Sequence, residues 1–158
     1  CQAANDNSAG QVVISGAKAA VDRACEIAKA KGAKRAILLP VSAPFHCALM
    51  QPAADAMAEA LSKVEMKAPV VPLVANVLAA AISDPAEIRK RLVEQVTGTV
   101  RWRECVGFMA GQGVTLFCEI GAGKVLTGLL KKNAPEAQGV AIGTPDDIAA
   151  TAAQLKQG

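Results

Sequence analysis

Aromatic side chains are nearly missing from this chain: three Phe, one Trp and no Tyr make up 3% of its 158 residues. With hydrophobic residues at 52%, the core has to be built from Ala, Val, Leu and Ile, which is the make-up of helices packed on an aliphatic sheet. Cysteine patterns are missing too. The five cysteines, at positions 1, 25, 47, 105 and 118, are odd in number and form no CxxC or Cys/His cluster. That excludes a disulfide framework and a zinc site and reads as reduced thiols in a cytoplasmic protein. Charge of one sign is also scarce. The 17 basic and 14 acidic residues leave +3, far below what coats a nucleic-acid backbone, although an acidic partner is allowed. The longest apolar runs, "AILLPV" and "VLAAAI", fall well short of the ~20 residues of a membrane span, so the chain reads as soluble. No signal-peptide pattern is present, and an opening on Cys1 rather than Met leaves the natural N-terminus open.

The elements that are present alternate. "QVVIS" (Gln11 to Ser15) reads as a strand, followed by an amphipathic helix from Ala17 to Lys31 with Val21, Ala24, Cys25 and Ala28 on one face and Gly32 after its end. "KRAILLPV" (Lys34 to Val41) reads as a central strand, broken by "SAPFH" because Pro44 disfavours helix at Ala43. A helix over Leu49 to Lys63 is expected to bury Met50, Ala53, Ala54, Met57 and Leu61, and the proline-bearing "PVVPLVANV" (Pro69 to Val77) to form an edge strand. "SDPAEIRKRLVEQVTG" carries a helix start, with Ser83 or Asp84 as N-cap, Pro85 at N1, Glu87 in the first turn and Gly98 at the end. Further helices over Trp102 to Ala110 and Lys124 to Asn133, strands "TLFCEI" and "GVAIG", and a closing helix "PDDIAATAAQLKQ" complete an α/β pattern, on one domain or a large part of a two-lobed one.

Motifs for chemistry are few. "EIGAGKVLTG" (Glu119 to Gly128) is not a Walker A loop, since Val125 follows Lys124, and it fails GxGxxG because Leu126 takes the third glycine position. A tight turn with positive φ accounts for its glycines. None of Ser8, Ser15, Ser42, Ser62 and Ser83 lies in GxSxG. Cys47 adjoins the single histidine, His46, but neighbours in sequence point apart, so it reads as a small buried residue rather than half of a dyad. His46 follows the carboxyl end of an expected strand, where open α/β sheets place their ligands. An orienting acceptor for its ring is offered by the end of the Pro85 helix, whose last carbonyls lack intrahelical partners. On the residues alone, a catalytic base and a structural histidine both stay open. Arg89, Lys90, Arg91, Arg101, Arg103, Lys124, Lys131 and Lys132 read mainly as a solvated face, a minority being candidates for docking an acidic partner.

Four segments, "AANDNSAGQVVISG", "LPVSAPFHCALMQPAAD", "WRECVGFMAGQGV" and "EIGAGKVLTGLLK", in this order and spacing resemble the malonyl-CoA:acyl carrier protein transacylases of bacterial fatty-acid synthesis. The resemblance runs over essentially the whole chain and implies an α/β-hydrolase-like core with a small ferredoxin-like lobe inserted. Residues 1–41 would close the small lobe and 42–158 would be the C-terminal part of the large one. It implies a ping-pong acyltransferase in which a serine takes malonyl from coenzyme A and yields it to the phosphopantetheine thiol of acyl carrier protein. His46 matches the family's Pro-x-His base, Gln95 the residue whose main-chain carbonyl holds it, and Asn5 and Asn7 the asparagines lining the acyl and pantetheine site. Phe45 resembles the malonyl-selecting form of the loop. No metal or resident cofactor is implied. Ala122 stands where the family often has proline. The family's Gly-His-Ser-x-Gly elbow, oxyanion-hole glutamine and malonyl-gripping arginine lie upstream of every residue matched here, so the reading makes the N-terminal half of the same protein a partner. A non-catalytic carrier-protein docking or scaffolding module of the same fold is the alternative.

Overall fold

The structure, a computed structural model, describes residues 1–156. It is mixed α/β and divides into two compact units, one from Cys1 to Trp102 and one from Arg103 onward. The closing helix was expected to reach Gln157, and the 42–158 segment to reach Gly158; those two residues lie outside the described ones.

The first unit opens on an antiparallel hairpin of β1 (Gln2–Ser8) and β2 (Gln11–Ser15). The register shifts between Ala3 and Asn5 and again between Asp6 and Ser8, so β1 is bulged twice. β1 is an element the sequence reading did not foresee, because "QAANDNS" has neither β-branched residues nor clean alternation. Its second edge pairs with the segment after residue 96. Val100 N–H donates to the Ala4 carbonyl and Asp6 N–H to the Val100 carbonyl, both at 2.8 Å, and Thr99 Oγ1 donates to the Ala3 carbonyl at 2.7 Å. Helix α1 (Lys18–Ala30) follows, with Val21, Ala24, Cys25 and Ala28 half-buried along one side, as their spacing predicts.

The expected central strand over 34–41 is absent. Those residues are irregular, and Ile37, Leu38, Leu39 and Val41 are 67%, 60%, 53% and 60% exposed. Strand propensity is not strand structure: the ladder needs a neighbour, and none pairs with this run among the described residues. A single 3-10 turn at Ala48–Met50 leads into α2 (Gln51–Ser62). Of its expected buried face only Ala54 is buried; Ala53 and Met57 are exposed, Met50 and Leu61 half-buried. The apolar stripe is correctly spaced, but too little of the described chain lies over it.

The expected strand over 69–77 shrinks to β3 (Leu73–Ala75), which turns back on an unforeseen β4 (Ala80–Ile82). Leu78 and Ala79 N–H groups both donate to the Ala75 carbonyl in that turn, and Ala79 takes a positive φ of 54°. Helix α3 (Pro85–Glu94) starts as its sequence dictates: Asp84 is the N-cap, accepting from Glu87 N–H at 2.8 Å, and Pro85 sits in the first turn. Glu87 and then Glu94 flank the Arg91 guanidinium and hold its pKa above the ordinary arginine value. α3 ends three residues earlier than Gly98 suggests, with Gln95 as C-cap.

Helix α4 (Trp102–Gly111) crosses into the second unit, where β5 (Leu116–Ile120), α5 (Val125–Asn133) and β6 (Gln138–Ile142) form a parallel β-α-β unit closed by α6 (Pro145–Leu155). Its buried apolar residues include Cys105, Val106, Leu129, Leu130 and Ala134, aliphatic as the composition requires. Thr144 and Asp147 make a reciprocal capping box at the start of α6. Among the described residues no helix is long and apolar enough to cross a membrane.

Candidate active site around His46

His46 stands between the irregular 34–43 run and the helical turn at Ala48. Its backbone is held at φ 57°, a left-handed conformation that non-glycine residues adopt only when their surroundings enforce it. Three contacts do so. Phe45 N–H donates to the Ala43 carbonyl at 3.0 Å, Met50 N–H to the Cys47 carbonyl at 2.9 Å, and the half-buried imidazole places Nδ1 2.8 Å from the Gln95 carbonyl oxygen. A carbonyl only accepts, so Nδ1 carries the hydrogen of this bond. In the neutral ring Nε2 is then the free lone pair, the form a proton acceptor needs. The Gln95 carbonyl is available because it lies at the C-cap of α3, where no later turn uses it.

The neighbours of His46 divide sharply. Cys47 is 2% exposed, and its Sγ donates to the Pro44 carbonyl at 3.1 Å. A buried thiol engaged with its own loop is a packing residue, and no Cys-His dyad forms. Phe45 is 46% exposed, leaving its ring open to a ligand. Asn5 and Asn7 lie half-buried on β1. Asn5 forms a parallel bridge with Val100, five residues beyond Gln95, and Asn7 sits at the second bulge, between Asp6 and Ser8. Of the serines, Ser8 is buried and donates to the Gln11 side chain at 3.3 Å, and Ser62 donates to the Glu59 carbonyl at 2.7 Å. One side chain that the sequence reading passed over joins β1 to the histidine loop: Gln2 Oε1 accepts from Ala48 N–H at 3.1 Å. A lone glutamine ahead of "AANDN" offers no pattern by which sequence alone would single it out.

Three of the basic residues read as surface charge have structural work instead. Arg89 donates to the Val64 carbonyl at 2.8 Å, Arg101 to the Leu78 carbonyl at 3.0 Å, and Arg91 to Glu87 at 2.7 Å.

The glycine loop of the second unit also has a definite chemistry. Gly121 and Gly123 take φ of 129° and 103°, the tight turn their residue type permits. Glu119 reaches across that turn, accepting from Leu126 N–H at 3.0 Å, Thr127 N–H at 2.7 Å and Thr127 Oγ1 at 2.6 Å. The Leu126 and Thr127 N–H groups at the start of α5, which could meet an anion, are taken by this carboxylate. The Thr127 hydroxyl, then its backbone N–H, hold the Glu119 carboxyl below its ordinary 4.5. Because the folded pKa is the lower one, this carboxylate stabilises the fold above the unfolded value, and that contribution is lost as pH falls from about 4.5 through the folded pKa. In urea unfolding followed across the acid range, Glu119→Gln should flatten the loss of stability on acidification. An unaltered pH slope would show that the carboxylate is not coupled to folding.

Solved structures similar to this chain include enzymes named as malonyltransferases. The acyl-carrier-protein-S-malonyltransferase of Bartonella henselae is 54% identical, with a TM-score of 0.93 over 99% of this chain and 50% of that one. A malonyl-transacylase solved in complex with its type II PKS acyl-carrier protein is 47% identical, with a TM-score of 0.88 over 94% of this chain and 48% of that one. By sequence, the malonyl CoA-acyl carrier protein transacylase of Salmonella typhimurium is 49% identical over 150 residues, 95% of this chain and 48% of that relative. This chain is therefore a homologue of malonyl CoA-acyl carrier protein transacylase, and it spans about half the length of the curated relatives it matches. No family model matches it.

Proposed function

We propose that these residues are the histidine-bearing half of a malonyl-CoA:acyl carrier protein transacylase serving bacterial fatty-acid synthesis in the cytoplasm. In this reading residues 1–41 end a small ferredoxin-like lobe and 42–158 belong to an α/β-hydrolase-like core. The observation that carries the proposal is the 2.8 Å bond from His46 Nδ1 to the Gln95 carbonyl, which leaves Nε2 as a proton acceptor in a chain similar to transacylases over nearly its whole length.

The chemistry follows from that ring. A serine supplied by the other half of the protein attacks the malonyl thioester carbonyl while His46 Nε2 takes its proton. The bond to sulfur breaks, the proton passes to the departing coenzyme A thiolate, and malonyl remains as an ester on the serine. The phosphopantetheine thiol of acyl carrier protein then gives its proton to Nε2, attacks the ester and releases the serine, which recovers that proton. The Gln95 carbonyl keeps the ring oriented and stabilises the imidazolium formed in each half-reaction, the part a carboxylate plays in other triads. Asn5 and Asn7 line the acyl and pantetheine path.

Phe45 supplies selectivity: a ring beside the reacting acyl group leaves little space for an α-methyl branch. Phe45→Ser should relax discrimination against methylmalonyl-CoA by about ten-fold, the low end of what one methyl group is worth in a pocket. The ratio of kcat/KM for the two thioesters measures this, and an unchanged ratio removes Phe45 from the gate. The same assay separates the readings of the whole protein. Transfer of malonyl to carrier protein supports the enzyme; carrier-protein binding without transfer supports a docking or scaffolding module.

A further inference from the structure

The helical turn that begins immediately after His46 has a defect. Its N-cap is Cys47, whose side chain makes no cap bond and is instead turned onto the Pro44 carbonyl. The Ala48 N–H is therefore one of the orphan donors of a helix start. It is satisfied from far away in sequence, by Gln2 Oε1 at 3.1 Å. The other end of the same amide points at the second support of the histidine: Gln2 Nε2 donates to the Thr97 carbonyl at 3.5 Å, two residues past Gln95. The two contacts agree on which end of the amide is which, since an N–H needs the oxygen and a carbonyl needs the nitrogen. Gln2 is itself anchored, because β1 is laced to residues 99–100 by the Thr99 to Ala3 and Val100 to Ala4 bonds.

We propose that Gln2 is a positioning residue for His46, capping the helical turn that follows the histidine and tying it to the helix end whose Gln95 carbonyl holds the imidazole. It rests on the reading of His46 as the base. His46 needs such a bracket because its left-handed backbone is not self-supporting. A loop released at Ala48 would let the ring drift from a carbonyl it must meet within hydrogen-bond reach.

In the whole protein the isotope-labelled imidazole nitrogens of His46, the one histidine of these 158 residues, are identified by their loss in His46→Ala. In Gln2→Ala, the Ala48 amide should exchange with solvent roughly five-fold faster, the effect of losing one cap. The ring signals should move from the Nδ1–H form towards a mixture with the Nε2–H form. Gln2→Glu keeps an acceptor for Ala48 and loses the donor to Thr97, so it should restore slow exchange at Ala48. Unchanged exchange and unchanged ring signals in Gln2→Ala would overturn the proposal, as would a Gln2→Glu chain that fails to restore Ala48. Thr99→Ala loosens the strand that anchors Gln2 while leaving both amide contacts in place, so it should move the ring signals less than Gln2→Ala does; an equal shift would assign the effect to β1 as a whole and overturn the proposal. Should Gln2→Ala unfold the chain, Gln2→Met, with similar length and neither polar contact, carries the same comparison. These spectra need no substrate. A tautomer that follows Gln2 beside normal transfer in a His46 variant would sink the base and keep the bracket.

Discussion

His46→Ala is expected to lower malonyl transfer to acyl carrier protein by on the order of 10² to 10⁴-fold in the whole protein, under the function proposed above, the range for removing a positioned general base. The loss should fall on kcat and kcat/KM together, because the proton is moved only in the transition state. Single-turnover formation of the malonyl-enzyme ester is the sharper measurement, as it isolates the first half-reaction from carrier-protein binding. Near-normal ester formation in the alanine variant would end the assignment. Gln95 makes an informative comparison: its contribution is a main-chain oxygen, 2.8 Å from Nδ1, so truncating its side chain should leave most of the activity in place.

The second large effect is expected at Gly98. This glycine has no positive φ to explain it; packing does. A Cβ there would lie 2.9 Å from the Glu94 carbonyl oxygen and 3.0 Å from Val77 Cγ1, while Gly98 N–H already donates to that same Glu94 carbonyl at 2.9 Å. The Glu94 oxygen is backbone and Val77 meets the site with a β-branched side chain, so Gly98→Ala should destabilise the fold by about 1–3 kcal/mol, the usual cost of overpacking. It should also shift the helix end on which the Gln95 carbonyl sits. A lowered urea midpoint with an unchanged slope, accompanied by reduced transfer, is the expected result. An unchanged midpoint would mean that this helix end is slack, and with it the support proposed for the imidazole.

Legibility in the sequence tracked the range of the interaction involved. Ser83 or Asp84, Pro85 and Glu87 announce a helix start because capping is settled within four residues, and of the two candidates the structure uses Asp84. β2, α1, β5 and α5 were read to within a residue or two for the same reason: their periodicity and turn glycines are local signals. The run over 34–41 failed in the opposite way. "AILLPV" has the composition of a buried strand, but burial and pairing come from other segments, and in the described chain those residues stay irregular and exposed. β1 failed in reverse, a strand with poor strand composition that exists because β2 and residues 99–100 pair with its two edges.

By itself, then, the sequence determined an aliphatic α/β chain, the signals of its caps and tight turns, and a single imidazole beside a phenylalanine. Its cysteines lack CxxC spacing and its glycine loop lacks the Walker A and GxGxxG patterns, so the sequence lends no support to a zinc cluster or a nucleotide loop. Only the tertiary structure decided that the Gln95 carbonyl meets His46 across 49 positions, that Gln2 caps a turn 46 residues away, and that Gly98 has no room for a methyl group. A hydrogen bond between distant segments depends on where both ends are held, and no local propensity encodes that distance.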